Sequence, residues 1–149
     1  MTTTRLRPVP PVVATKRRPP TRRVRDVAQL GPRARAVRSA VARWSLSVGR
    51  CCDYDALTLV LACADEAGDP TTFTEEGVWR MWWIDLGEWC ADRCVPVPAG
   101  LASTMRVLFD HLDATDGFGA GSDPLEDLVE GMAGAGALWR NGHAPVGAG

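Results

Sequence analysis

The sequence predicts an all-α fold: a small bundle of about five helices, carried between an Arg/Pro-rich N-terminal arm and a Gly-rich C-terminal tail. Three observations carry this prediction. Apolar residues recur at three- and four-residue intervals in successive segments, helix-start signals precede those segments, and no stretch alternates apolar and polar residues as a half-buried strand would. With 149 residues there is room for one domain with an ordinary core and no second one.

The organisation expected along the chain is a disordered basic arm over residues 1–30, a helical domain over 31–133 and a flexible tail over 134–149. The arm has five prolines in its first 20 residues, which remove amide donors, and its self-repelling arginines bring little apolar surface to offset the entropy of ordering. Pro32 is placed to open a helix running to about Val48, with Val37, Val41, Trp44 and Val48 on one stripe and Arg33, Arg35, Arg38 and Arg43 off it. Asp53-Tyr54-Asp55 reads as a capping turn before Asp55 to Ala67, which is apolar on nearly every side and marks a central, buried helix.

The next segment, Thr74 to Cys94, carries four of the six tryptophans. Thr74 suits an N-cap, Glu75 and Glu76 suit the positive end of the helix dipole, and Phe73 can staple onto Val78. Asp85 and Glu88 have capping-box spacing, so the stretch reads either as one kinked helix or as two. After Val95-Pro96-Val97-Pro98 comes a helix from Ala99 to about Ala114, with Leu101, Met105, Leu108, Phe109 and Leu112 on one face. Gly117 to Ser122 reads as a flexible hinge, and Pro124 opens a last helix to about Met132.

Net charge is near zero only because two opposed regions cancel. Residues 1–50 hold 13 Lys or Arg and one acid, net +12; residues 51–149 hold 4 Arg and 17 acids, net −13. A basic arm on an acidic body implies an anionic partner, or an arm that folds back on its own body. The arginines expected to meet phosphates are Arg17, Arg18, Arg22, Arg23, Arg25, Arg33, Arg35 and Arg38, and such binding would be salt-dependent and blind to base sequence. Sixteen Arg against one Lys also fits a GC-rich genome, so part of this signal is compositional.

No apolar run approaches the roughly 20 residues that span a bilayer, and no apolar segment follows the basic N-terminus as in a signal peptide. Five cysteines without an export signal read as reduced thiols, which places the chain in the cytoplasm. Cys90 and Cys94 share a helical face, but two converging close pairs, as structural zinc requires, are absent, so neither metal nor cofactor is expected. Cys63 and Cys90 read as core residues.

His111 lies at the boundary of an apolar face, His143 falls in the tail, and no nucleophile elbow is present. Asp110, Asp113 and Asp116 lack the glycine and terminal glutamate of a calcium loop. Gly117, Gly119 and Gly121 lack the strand-to-helix setting of a phosphate cradle. The helix over residues 99–117 superficially resembles a winged helix-turn-helix recognition helix, but its three aspartates would face phosphates unfavourably.

These readings exclude recognisable enzyme chemistry and leave a non-enzymatic interaction module. Its expected protein-binding face is Trp79, Arg80, Trp82, Trp83, Trp89 and Arg93, because tryptophan buries a large area at small entropic cost, and the basic arm is expected to add long-range electrostatic attraction. The alternative is a nucleic-acid-associated regulator whose arm grips phosphates.

Overall fold

A computed structural model describes residues 22–140, with side chains to Ala135. The described residues form α1 (Val24–Val27), α2 (Pro32–Ser47), α3 (Tyr54–Glu66), α4 (Glu75–Arg80), a π-helical stretch (Met81–Asp85), α5 (Leu86–Asp92), α6 (Leu101–Ala114) and α7 (Leu125–Arg140), with no strand among them. The fold is the all-helical bundle that periodicity predicts.

α3 is its axis. Nine consecutive residues, Ala56 to Ala64, are buried, as expected of a segment apolar on every side, and α1, α2, α5 and α6 pack around it. The helix opens where Asp53 Oδ1 accepts the Ala56 N–H (2.8 Å), so the Asp53-Tyr54-Asp55 motif is a cap. α6 lays Leu101, Met105, Leu108, Phe109 and Leu112 into the core, with Phe109 edge-on to Phe73 (5.0 Å between ring centres). Helices α2, α5 and α6 end alike: the residue after the cap (Gly49, Cys94, Asp116) turns left-handed, and the next N–H returns to the carbonyl of Ser45, Cys90 and Leu112 respectively.

Three expectations about the ends and hinges are corrected. The body begins before residue 31: Val24 is buried in the core, and Arg25 clamps Asp55 through its backbone N–H (3.1 Å) and two guanidinium nitrogens (2.9 Å each). The Gly31 N–H then donates to Asp65 Oδ2 (2.8 Å). A four-residue helix has no period to read, so only these long-range contacts reveal it.

At the other end, α7 continues past Met132 to Arg140, with Gly131 and Gly134 set against the Trp79 ring. Residues 1–21 and 141–149, which include Arg17, Arg18 and His143, lie outside the described residues.

The 117–122 hinge is tied down as well. The Gly119 N–H donates to the Thr71 carbonyl (2.9 Å), and a Cβ at Gly119 would fall onto Thr72 Oγ1. Ser122 Oγ accepts from Phe73 N–H (3.0 Å), and Asp123 Oδ2 accepts from Glu75 N–H (2.7 Å), so this loop positions the start of α4. No helix among the described residues is long and apolar enough to cross a membrane.

Candidate partner-binding groove

Thr74 starts the tryptophan-bearing helix as its sequence suggests: Thr74 Oγ1 accepts from Gly77 N–H (3.0 Å), and Glu75 and Glu76 lie in the first turn. The choice between one helix and two resolves into one. Backbone angles stay α-helical through Arg80, Met81, Asp85 and Leu86, and the Leu86 N–H reaches back five residues to the Met81 carbonyl. Asp85 and Glu88 are therefore not caps. Asp85 is mid-helix with no capping hydrogen bond, its carbonyl lies 3.8 Å from Cys63 Sγ, and its carboxylate pairs with Arg80 (3.7 Å).

The six residues expected on one binding face divide between two sides of this helix. Trp79 lies against α7, where Cβ atoms added at Gly131 and Gly134 would sit 3.5 and 3.0 Å from its indole, and Trp83 stacks on Trp79 with ring planes 4° apart. Trp82 is 5% exposed, so it is a core residue and not part of a free face. Four tryptophans do fit into a domain of this size, because glycines on α7 let one ring approach a helix backbone closely. The expected continuous tryptophan surface is corrected to a packed seam with Trp79 and Trp83 half-buried at its edge.

Arg80, Trp89 and Arg93 face elsewhere. They line a groove of about 650 Å³ bounded by the C-terminal half of α3, residues 72–74 and the tryptophan-bearing helix. Cys63, Ala64, Phe73 and Met81 supply apolar lining, and Glu66, Asp85, Glu88 and Asp92 outnumber the two arginines, giving the groove an acidic balance.

Its best-defined wall is a three-residue stack. The Arg93 guanidinium lies 4.0 Å from the Trp89 ring centre, donates to Glu66 Oε1 (3.0 Å) and donates to the Trp89 carbonyl (3.1 Å). Glu66 Oε1 also accepts the indole N–H (3.1 Å). Trp89 is only 4% exposed, so it serves as a wall and not as a protruding anchor.

The groove is poorly equipped for nucleophilic chemistry. Burial, reinforced by the Asp85 and Glu66 carboxylates, pushes the Cys63 thiol far above its ordinary range, and burial pushes Cys90 up to about 11, so both stay protonated near neutrality. Both are core residues, while Cys94 is exposed beyond the helix end. No group of three potential metal ligands occurs among the described residues. His111 is remote from the groove lining, edge-on to Trp44 (5.5 Å); its buried Nδ1 has no hydrogen-bond partner, and burial lowers its pKa.

Half of the six described arginines expected to grip phosphate are engaged by the body. Arg25 is clamped on Asp55, Arg33 pairs with Asp69 (3.4 Å), and Arg38 lies 4.8 Å over the Tyr54 ring and donates to Thr58 Oγ1 (3.3 Å). Arg22, Arg23 and Arg35 are exposed. Of the arm's described arginines, Arg25 is anchored on a carboxylate of the body, while Arg33 and Arg38 belong to α2.

Sequence reasoning missed the acidic side of the groove. Asp85, Glu88 and Asp92 recur at helical spacing, a signal masked by the capping-box pattern, whereas Glu66 arrives from α3 and has no local signal at all. No family model, no curated protein and no solved structure matches the chain.

Proposed function

We propose that this domain is a non-enzymatic interaction module that receives a segment of a protein partner in the groove between α3 and the tryptophan-bearing helix. The observation that carries this reading is the concave, mixed surface itself: apolar lining from Phe73 and Met81 under a rim of charged side chains, which includes the expected binding residues Arg80 and Arg93 and their partners Asp85 and Glu66. Trp89 and Arg93 act as a preformed wall, and Arg80 with Asp85 forms the far lip. The alternative, phosphate binding by the N-terminal arginines, has given up Arg25, Arg33 and Arg38 to contacts within the body and is the weaker reading.

A photo-activated cross-linker at Glu88, compared with one at Glu130 on α7, tests the module in cells. A discrete adduct from the Glu88 position alone supports it. Identical patterns from both positions, or none from either, remove the groove from consideration.

A further inference from the structure

The chemistry of the groove's wall identifies its occupant. An aromatic face, a carboxylate oxygen fixed by that ring's own N–H, and a guanidinium bridging the two make a guanidinium-recognition site, filled here by Arg93 of the same chain. The Arg93 side chain is 34% exposed and its pair with Glu66 is reached by solvent, so an incoming guanidinium can displace it from the outer face of the Trp89 ring without opening the core. Along the same rim, Arg80 is paired with Asp85, while Glu88 and Asp92 make no ion pair among the described residues. The empty positions in the groove's charge pattern are therefore those of cations.

Resting on the partner-binding reading above, we infer that the groove takes an extended, arginine-bearing peptide segment of a second protein. One arginine replaces Arg93 on Trp89 and Glu66, and further basic side chains meet Glu88 and Asp92. The described chain enters the body at the other end of α3, where Arg25 is clamped on Asp55, 11 positions before Glu66 and so about 16 Å away along the helix axis. Arg25 there is held on Asp55 outside the groove, while Glu88 and Asp92 stand exposed along the groove's rim, and this charge complementarity assigns the groove to an arginine-bearing segment of a second molecule.

Fluorescence anisotropy with the full-length chain tests this, using three short labelled peptides on one Gly/Ser frame that carry Arg and Leu, Lys and Leu, or Glu and Leu. The Arg peptide binds, the Lys peptide binds about threefold more weakly because an ammonium cannot stack as a planar fork, and the Glu peptide does not bind. The double change Glu88→Gln and Asp92→Asn weakens the Arg peptide about tenfold. Arg93→Ala strengthens it about threefold by vacating the wall and removing a like charge. The double change Glu126→Gln and Glu130→Gln, in the separate acidic depression between α6 and α7, leaves affinity unchanged. Unchanged thermal midpoints show that the variants stay folded.

Weaker binding by Arg93→Ala, equal binding of the Glu peptide, or loss only in the α7 variant would overturn the inference. Changing Arg5, Arg7, Lys16, Arg17 and Arg18 together to Gln is a further arm. A gain as large as that of Arg93→Ala would mean the chain's own N-terminal residues compete for the groove, and would overturn the assignment to a second protein. A partner cross-linked at Glu88 through a segment without basic residues sinks the inference but leaves the module standing; failure of groove-specific cross-linking sinks the module itself.

Discussion

On one side of the tryptophan-bearing helix, Trp79 lies against two glycines of α7; on the other, Trp89 carries Arg93 on its face and Glu66 on its ring nitrogen. The same residue type serves two ends. The α7 side is closed by shape, where area removed from water and the absence of a Cβ decide the fit. The groove side is finished by charge-assisted contacts that solvent can reach and that another molecule can replace. Aromatic content alone therefore does not identify an interface; what covers the ring does.

The largest expected effect breaks the packed side. Trp82→Ala should cost about 3–5 kcal/mol, as for other large-to-small aromatic changes in a core, and should appear as a large drop in the denaturant midpoint. A loss below about 1 kcal/mol would mean that the ring is not packed as described.

Next come the two glycines, which sharpen the claim that shape decides. At Gly134 an added methyl meets the rigid Trp79 indole at 3.0 Å, so Gly134→Ala should destabilise by about 1–3 kcal/mol despite alanine's better helix propensity. At Gly131 the first obstacle is Glu75 Cγ, also at 3.0 Å, and a flexible side chain can yield, so Gly131→Ala should be neutral or stabilising by up to about 1 kcal/mol. Chemical denaturation of both variants checks the contrast, which fails if the two shift alike.

Acid titration separates apolar burial from ion pairing. Burial lowers the His111 pKa, so folding favours the neutral ring. That contribution is complete above an unfolded value of about 6.5 and is lost as pH falls from there toward the folded pKa. The Arg25 side-chain hydrogen bond holds Asp55 below the usual carboxylate range against some desolvation, so its contribution is present above about pH 4 and is lost as pH falls through the lower folded value. Stability measured against pH should show the upper step flattened by His111→Gln and the lower one by Asp55→Asn. Retention of the upper step in the histidine variant would reject the assignment. Asp110 belongs with Asp55 in the acid range: burial pushes it up, but hydrogen bonds from Arg50 and Arg106 outweigh that and hold it low.

The smallest effect is on the open side. Arg93→Ala should change folding stability by about 1 kcal/mol, since its stack on Trp89 and its pair with Glu66 both lie at a solvent-accessible edge. A loss of several kcal/mol would make the stack part of the core and not a replaceable wall.

Much of the fold was legible because its signals are local. Pro32, Asp53 and Thr74 open helices where their chemistry says they should, and the apolar faces of α3 and α6 are those their periodicity marks. What escaped depends on partners far along the chain. Val24 is held by a clamp between Arg25 and Asp55, 30 residues apart, and the glycines of α7 resemble a fraying end until Trp79 is placed beside them. Three of the six expected partner-binding residues, Arg80, Trp89 and Arg93, reach the groove, and the phase shift that the π-helical stretch puts between Arg80 and Trp89 is not visible as a break in three- and four-residue spacing.

That π-helical stretch bears on heredity. Each α-helical residue advances the side-chain direction by about 100°, and the i→i+5 turn from Met81 to Leu86 absorbs one residue beyond that repeat, so the sequence spacing shifts phase across it while the helix on either side keeps its place. Substitution changes one side chain at a time, whereas loss of a single residue between Met81 and Asp85 would turn the bond from the Leu86 N–H to the Met81 carbonyl into an ordinary i→i+4 one and leave Trp89, Asp92 and Arg93 beside Glu66. The Trp89 wall of the groove is therefore held by the hydrogen-bond frame of the helix, and such a deletion would remove the bulge while sparing the wall.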